Sequence, residues 1–131
     1  MKQIFIFRKT YAAVILIGCL MAFSSAMAQQ MPRRNALRET NNEFFKTEEA
    51  RRIGNQVLAF QRCTGGWPKN IDMTQKMSNE ELAQVLKEKS RRNDSTIDND
   101  ATTMQMIYLA RLYRQTNDVR YRDAFRLAVE Y

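Results

Sequence analysis

The sequence has 131 residues and contains no histidine. This absence excludes Ser-His-Asp and Cys-His catalytic sites, histidine-based acid–base catalysis and metal centres with histidine ligands. Cysteine is also scarce, with Cys19 near the N-terminus and Cys63 alone in the rest of the chain. If the N-terminal segment is removed, no intramolecular disulfide can form, and we expect Cys63 to be a small core residue.

The N-terminus has the pattern of an export sequence. Basic residues precede an apolar run at 11–23, and Ala26-Met27-Ala28 follows with small residues at the positions that a signal peptidase recognises. The run is too short to favour a membrane span. We therefore predict a signal peptide at residues 1–28, with cleavage after Ala28, which makes the chain secreted or periplasmic and free of the membrane after cleavage.

A lipoprotein cleavage site is the alternative. Leu16-Ile17-Gly18-Cys19 resembles such a site and would leave Cys19 lipidated. Apolar residues follow Cys19, whereas a lipoprotein needs a polar tether, so we favour the cut after Ala28. Both alternatives predict export.

The charge balance is basic. The first 28 residues hold three of the 21 basic residues and none of the 14 acidic residues, so their removal lowers the net charge from +7 to +4. Nucleic acid is not an expected partner outside the cytoplasm. A polyanion outside the cell, such as an acidic polysaccharide or a charged envelope, is the natural candidate for electrostatic attraction, although the charge could also serve solubility alone.

The remaining sequence predicts an all-α or mainly α protein. A polar leader at 29–42 has no periodicity, and residues 43–131 contain four amphipathic segments but no strand pattern of useful length. We expect helices near 43–62, 78–89, 100–114 and 119–129, the last two forming an antiparallel helix pair. Asn42 or Thr47 would open the first helix, and Ser78-Asn79-Glu80-Glu81 is a capping box for the second. Because the last helix continues to Tyr131 without a stop, we expect a C-terminal truncation.

The first polar loop contains Gly65-Gly66-Trp67-Pro68-Lys69-Asn70, with the only tryptophan of the chain. A tryptophan on a stiff loop can stack on the apolar face of a sugar ring, and Lys69 beside it could hold a carboxylate. The alternative is a turn whose Trp67 fills the core under a helix end. These residues alone do not decide between the two.

The second polar loop, Asp94 to Thr102, holds three carboxylates, an amide and hydroxyls directly before a helix. Such oxygens suit a hard cation or a polyhydroxylated ligand. Aspartate, asparagine, serine and threonine are equally typical of a helix N-cap, and Asp98 or Asp100 could cap the third helix. An EF-hand is excluded, because its glycine and glutamate are missing.

The helix pair at 100–129 is also somewhat similar to a tetratricopeptide repeat. That hypothesis would make the chain an exported helical-repeat interaction module without catalysis. It requires a second copy about 34 residues away, and none occurs there.

Taken together, the two polar loops resemble the N-terminal part of bacterial pectate lyases of polysaccharide lyase family 10. The similar features are Gln-Arg followed by Gly-Gly-Trp-Pro-Lys-Asn, then Thr96-Ile97-Asp98-Asn99 with Ala101-Thr102, and a Leu-Ala-Arg-x-Tyr helix behind them. The resemblance covers Thr47 to Tyr131. Asp100 stands where glycine is common in the family.

The resemblance implies an α/α-toroid-like catalytic domain, of which residues 43–131 would be the N-terminal part. It implies calcium-assisted β-elimination of polygalacturonate or pectin, with Asp98 binding calcium and with Asn99, Trp67 and Lys69 near the substrate. It also implies an arginine as the catalytic base. The arginines of the last two helices do not match it by motif, so we expect the base beyond Tyr131 and expect this chain to be inactive alone.

Overall fold

The computed structural model of the protein describes residues 33–131. The predicted signal peptide, its cleavage after Ala28, Cys19 and the first part of the predicted leader therefore lie outside the described residues. Over residues 33–131, no helix combines the length and the apolar character that crossing a membrane requires.

The described residues form four α-helices and two very short strands, so the prediction of a mainly α fold is confirmed. The toroid-like arrangement stays a prediction. In chain order the elements are α1 (Glu48–Phe60), β1 (Trp67–Pro68), α2 (Asn79–Lys87), β2 (Ser95–Thr96), α3 (Thr103–Thr116) and α4 (Val119–Val129). Short 3₁₀-helices lie at Arg33–Arg38, Phe44–Lys46, Glu88–Ser90 and Asp98–Asp100.

Three of the α-helices begin at side-chain caps. The hydroxyl of Thr47 accepts a hydrogen bond from the Ala50 N–H at the start of α1. Ser78 and Glu81 form the predicted capping box of α2, and Asp118 caps α4. Of the two predicted openers of the first helix, the structure confirms Thr47: its backbone is extended and separates Phe44–Lys46 from α1 as a 3₁₀ turn. A cap residue has non-helical backbone angles, and this ends any helix that precedes it.

The core lies between α1, α3 and α4. Its largest fully buried members include Tyr108, Tyr121, Ile53, Leu109 and Leu112. A Cβ atom on Gly54 of α1 would lie 2.2 Å from Leu112 Cδ2, so the missing side chain permits the close approach of α1 to α3. Helices α3 and α4 are joined through Asn117, whose backbone is left-handed (φ 56°), and they form the predicted helix pair.

Helix α2 differs from the other three, because none of its residues is buried. Leu82 and Val85 are half-buried, and Leu86 is 48% exposed. It connects the two polar loops and reaches the core only at its margin, through the partly buried Val85.

The described part of the predicted polar leader packs against the helical domain. Leu37 is buried in the core, Arg38 forms an ion pair with Asp100 (2.7 Å), and Arg111 donates a hydrogen bond to the Glu39 carbonyl (2.6 Å). The boundary that the sequence pattern placed after residue 42 therefore does not separate a free tether from the domain. Leu37 and these two polar contacts together anchor the segment.

Candidate functional site

The two polar loops are joined to each other. Strand β1 pairs with β2 in antiparallel orientation, with Trp67 opposite Thr96 and Pro68 opposite Ser95. The sequence did not predict this pairing, because each strand has only two residues. It brings together the two motifs that carry the family resemblance.

A buried ion pair lies at the base of the paired loops. Arg62 is 4% exposed, and its Nε and Nη2 donate hydrogen bonds of 2.8–3.1 Å to the Asp94 carboxylate. The hydrogen bond from Arg62 lowers the pKa of the Asp94 carboxyl, and this outweighs the opposing effect of burial. A bidentate pair of this kind fixes the relative orientation of the two loops.

Further hydrogen bonds join the same two loops. The Cys63 N–H donates to the Lys89 carbonyl (2.7 Å), and the hydroxyls of Thr64 and Ser95 are 2.9 Å apart. Burial lowers the pKa of the Lys89 ammonium group, and the Arg62 charge lowers it further. Cys63 itself is exposed, so its predicted place in the core is wrong: the side chain lies over the turn, with its Sγ beside the Ser90 carbonyl.

Trp67 is a core residue. Its side chain is fully buried, and its indole N–H donates a hydrogen bond to the Val57 carbonyl of α1 (2.7 Å). An indole without an exposed face cannot stack on a sugar, so the structure corrects the predicted sugar platform and supports the core alternative. Trp67 then serves the site indirectly, by anchoring β1 to α1.

Lys69 and Asp98 form an exposed ion pair at the tips of the two loops. The Lys69 Nζ lies 2.6 Å from Asp98 Oδ2, with side chains that are 46% and 56% exposed. The hydrogen bond from Lys69 lowers the pKa of the Asp98 carboxyl. Two of the residues that the sequence singled out are therefore in direct contact, although they are 29 residues apart in the chain.

Asn99 and Asp100 both adopt left-handed backbone conformations, with φ of 54° and 61°. Glycine adopts such angles most readily, which gives a physical reason for the glycine that is common at the position of Asp100. The predicted capping of α3 by Asp98 or Asp100 is wrong. Helix α3 begins after Thr102 without a side-chain cap, and the two carboxylates bind Lys69 and Arg38 instead.

An open cleft of about 380 Å³ lies beside the Lys69–Asp98 pair. Its lining includes Lys69, Asn70, Asn99, Met104 and Gln105. The Oε1 atom of Gln105 is buried and has no hydrogen-bond partner among the described residues. The volume falls in the range typical of sites for small ligands, and the cleft combines polar and apolar groups as a sugar site does.

The fit of a calcium ion can be tested on the oxygen atoms of the site. Calcium takes six to eight oxygen ligands in most proteins, and Asp98 and Asn99 offer oxygens of that kind. Over residues 33–131, no group of three or more His, Cys, Asp or Glu residues could hold a metal ion. These two residues therefore fit as part of a calcium site but do not complete one.

Sequence reasoning missed two residues of this region. Arg38 was assigned to the leader, but it forms an ion pair with Asp100 of the second loop; the apolar neighbour Leu37, which lines the cleft, was the feature that could have revealed it. Thr102 was noted only as part of the Ala101-Thr102 motif and no role was predicted for it, but its hydroxyl bonds to both strands. No local sequence feature indicates that contact, because it depends on how the loops pair.

Comparison with known families gives an independent assignment of this region. The model of the pectic acid lyase family matches residues 61–131, which is more than half of the chain and includes both paired loops, α3, α4 and every residue that lines the cleft except Leu37. A search of curated proteins found no match. The quoted motifs of the two loops and of α3 lie within the matched range, although the resemblance as stated began at Thr47, and the chain belongs to the pectic acid lyase family.

Proposed function

We propose that the chain contributes to a pectate lyase that cleaves polygalacturonate by β-elimination, as in polysaccharide lyase family 10. Membership of the pectic acid lyase family carries this proposal. The exposed Lys69–Asp98 pair supports it, because it places a cation and a carboxylate together beside a cleft of suitable size. Asn99 lines the same cleft and is proposed to contact the sugar.

Lys69 is the proposed binding group for a uronate carboxylate. It is about half exposed and has one ion-pair partner in this region, Asp98. Exposed pairs of this kind are weak, so an incoming carboxylate can replace Asp98 as the partner of the ammonium group at little cost. Positive charge beside the uronate carboxylate then favours removal of the C5 proton, since it stabilises the negative charge that develops there.

Calcium is the proposed cofactor. Asp98, released from Lys69, would be one calcium ligand, and Asn99 would contribute its amide oxygen to the calcium or to the sugar. A bound calcium ion would add positive charge at the substrate carboxylate. The remaining ligands would come from the substrate and from residues other than these two.

The proton acceptor is proposed to be an arginine outside this chain, so that the chain by itself is inactive or nearly so. Among the described residues, Arg38 pairs with Asp100 of the second loop, but it lies before the range that the pectic acid lyase family matches. The other arginines that contact the loops have structural roles, as Arg62 does with Asp94. Export to the periplasm or the medium, where pectate is met, belongs to the same proposal.

The test is a lyase assay with polygalacturonate and calcium, which follows the ultraviolet absorbance of the unsaturated uronate product. It uses the chain and a version extended through the downstream reading frame. We expect product only from the extended version, with its formation abolished by a chelator and by Asp98→Ala. Asp123→Ala, an exposed aspartate of α4 paired with Arg122, is the control and should remain active.

The opposite result is equally clear. If neither version forms product and neither binds polygalacturonate, the lyase proposal fails. The exported helical interaction module then becomes the better hypothesis, because it rests on the α3–α4 helix pair and needs neither polar loop to bind a sugar.

A further inference from the structure

The side chain of Thr102 connects the two loops at a single point. Its Oγ1 accepts a hydrogen bond from the Trp67 backbone N–H of β1 (2.9 Å) and donates one to the Thr96 carbonyl of β2 (2.8 Å). The residue is 2% exposed. One hydroxyl therefore satisfies a buried donor and an acceptor from two strands that are far apart in sequence.

The backbone of Thr102 is held in an unfavourable conformation. Its φ and ψ are 65° and −52°, and a β-branched residue with positive φ is a genuine outlier. Strained residues persist only where the surrounding structure holds them, and they cluster at functional sites. In this backbone conformation the Thr102 hydroxyl contacts both strands, at the residue that directly precedes α3.

The position of Thr102 relates it to the exposed ion pair. Lys69 follows Trp67 by two residues, and Asp98 follows Thr96 by two residues. Because β1 and β2 are antiparallel, the chain leaves the Trp67–Thr96 pair in opposite directions along the two strands, so the Lys69–Asp98 contact depends on how the second loop turns after Thr96. A shift of the Thr96 carbonyl relative to the Trp67 N–H would move Asp98 relative to Lys69 and change the wall of the cleft that Asn99 lines.

We propose that Thr102 is a positioning residue, whose hydroxyl sets the alignment of the two loops so that Lys69, Asp98 and Asn99 face one ligand. The ligand class, oligogalacturonate, rests on the proposed function; the alignment itself does not. A hydroxyl is required because it accepts and donates at once. A valine of the same shape would leave the Trp67 N–H and the Thr96 carbonyl without this partner.

The test compares three variants of the full chain. Thr102→Val removes the hydroxyl and keeps the shape, and Thr102→Ser keeps the hydroxyl. Thr103→Val changes the exposed neighbour and is the matched control. Two properties are measured: the exchange rate of the Trp67 amide hydrogen relative to the Leu112 amide in the core, and the affinity for oligogalacturonate in the presence of calcium.

In Thr102→Val we expect the Trp67 amide hydrogen to exchange at least about tenfold faster relative to that of Leu112. We also expect the affinity for oligogalacturonate to fall by at least about tenfold. Both follow because buried groups lose their hydrogen-bond partner. Thr102→Ser should restore both, and Thr103→Val should resemble the wild type. The proposal is overturned if Thr102→Val leaves the exchange of Trp67 and the affinity unchanged. It is also overturned if Thr102→Ser is as defective as Thr102→Val, since the methyl group would then be the important part.

Two further outcomes are also decisive. If Thr102→Val does not fold, Thr102→Ser alone decides, with wild-type affinity supporting the hydroxyl and a tenfold loss contradicting it. If the wild type binds no oligogalacturonate, the proposed function loses its support, but faster Trp67 exchange in Thr102→Val and its restoration in Thr102→Ser still support the alignment role.

Discussion

Two ion pairs join the same two loops, and they differ in almost every physical property. Arg62 and Asp94 are 32 residues apart in sequence and make three hydrogen bonds, with side chains that are 3% and 25% exposed. Lys69 and Asp98 make one contact and are about half exposed. The first pair is at the base of the loops and the second is at their tips.

The difference separates a structural contact from a contact available to a ligand. Removing one partner of a buried pair leaves a charge without compensation in a poorly solvated place, and this is costly. The charges of an exposed pair remain solvated when the pair opens. The Arg62–Asp94 pair therefore holds the loops in place. The Lys69–Asp98 pair can open, so that each of its charges can bind a group of the substrate instead.

The largest expected effect is the loss of folding stability when the Arg62–Asp94 pair is broken. We predict that Asp94→Ala lowers the free energy of unfolding by about 3 kcal/mol, at the lower end for a broken buried pair, because Glu88 lies 3.6 Å from Arg62. Asp98→Ala should leave the midpoint of urea unfolding unchanged. Equal losses in the two variants would remove the distinction between the pairs.

A smaller loss of folding stability is expected on substitution of Trp67, which is buried and hydrogen-bonded to α1. Trp67→Phe loses the hydrogen bond to the Val57 carbonyl and some buried area, so we predict a loss of about 2 kcal/mol of stability. Binding of oligogalacturonate to the folded variant should change little. A large loss of affinity with unchanged stability would instead favour the sugar platform.

The pH dependence of stability should also distinguish the pairs. Arg62 lowers the pKa of Asp94 in the folded state, so this carboxylate stabilises the fold fully above the unfolded pKa of about 3.9. The contribution is lost as the pH falls through the lower, folded pKa. Asp94→Asn should therefore lose less stability than the wild type on acidification, as measured by urea unfolding at a series of pH values; an identical acid dependence would contradict the assignment.

The helices could be predicted from the sequence because their causes are local. The capping box at Ser78 and Glu81 and the cap at Thr47 act over three or four residues, and the apolar periodicity of α1, α3 and α4 records their buried faces. The start of α1 was left open between Asn42 and Thr47, because the apolar pattern runs across Phe44–Lys46, and the structure decides for Thr47.

The site was predicted only in part, because its geometry depends on contacts between distant residues. The sequence singled out Lys69, Asp98 and Asn99; Lys69 and Asn99 line one cleft, and Asp98 is paired with Lys69 beside it. It could not decide between the two roles of Trp67, since burial depends on what packs above the loop. The roles of Arg38 and Thr102 likewise depend on partners 62 and 35 residues away in the chain.

The most direct test of the account is an NMR titration of the ¹⁵N-labelled full chain with oligogalacturonate and calcium. We predict that amide shifts concentrate at the loop tips, at Lys69, Asn70 and Ile97–Asp100, and that Lys69→Met abolishes them while Lys76→Met, at an exposed lysine outside the cleft, does not. The amide chemical shifts of Arg62 and Asp94 should not change. Shifts that are absent from the tips, or that survive Lys69→Met, would contradict the claim that the exposed pair is the ligand-binding contact.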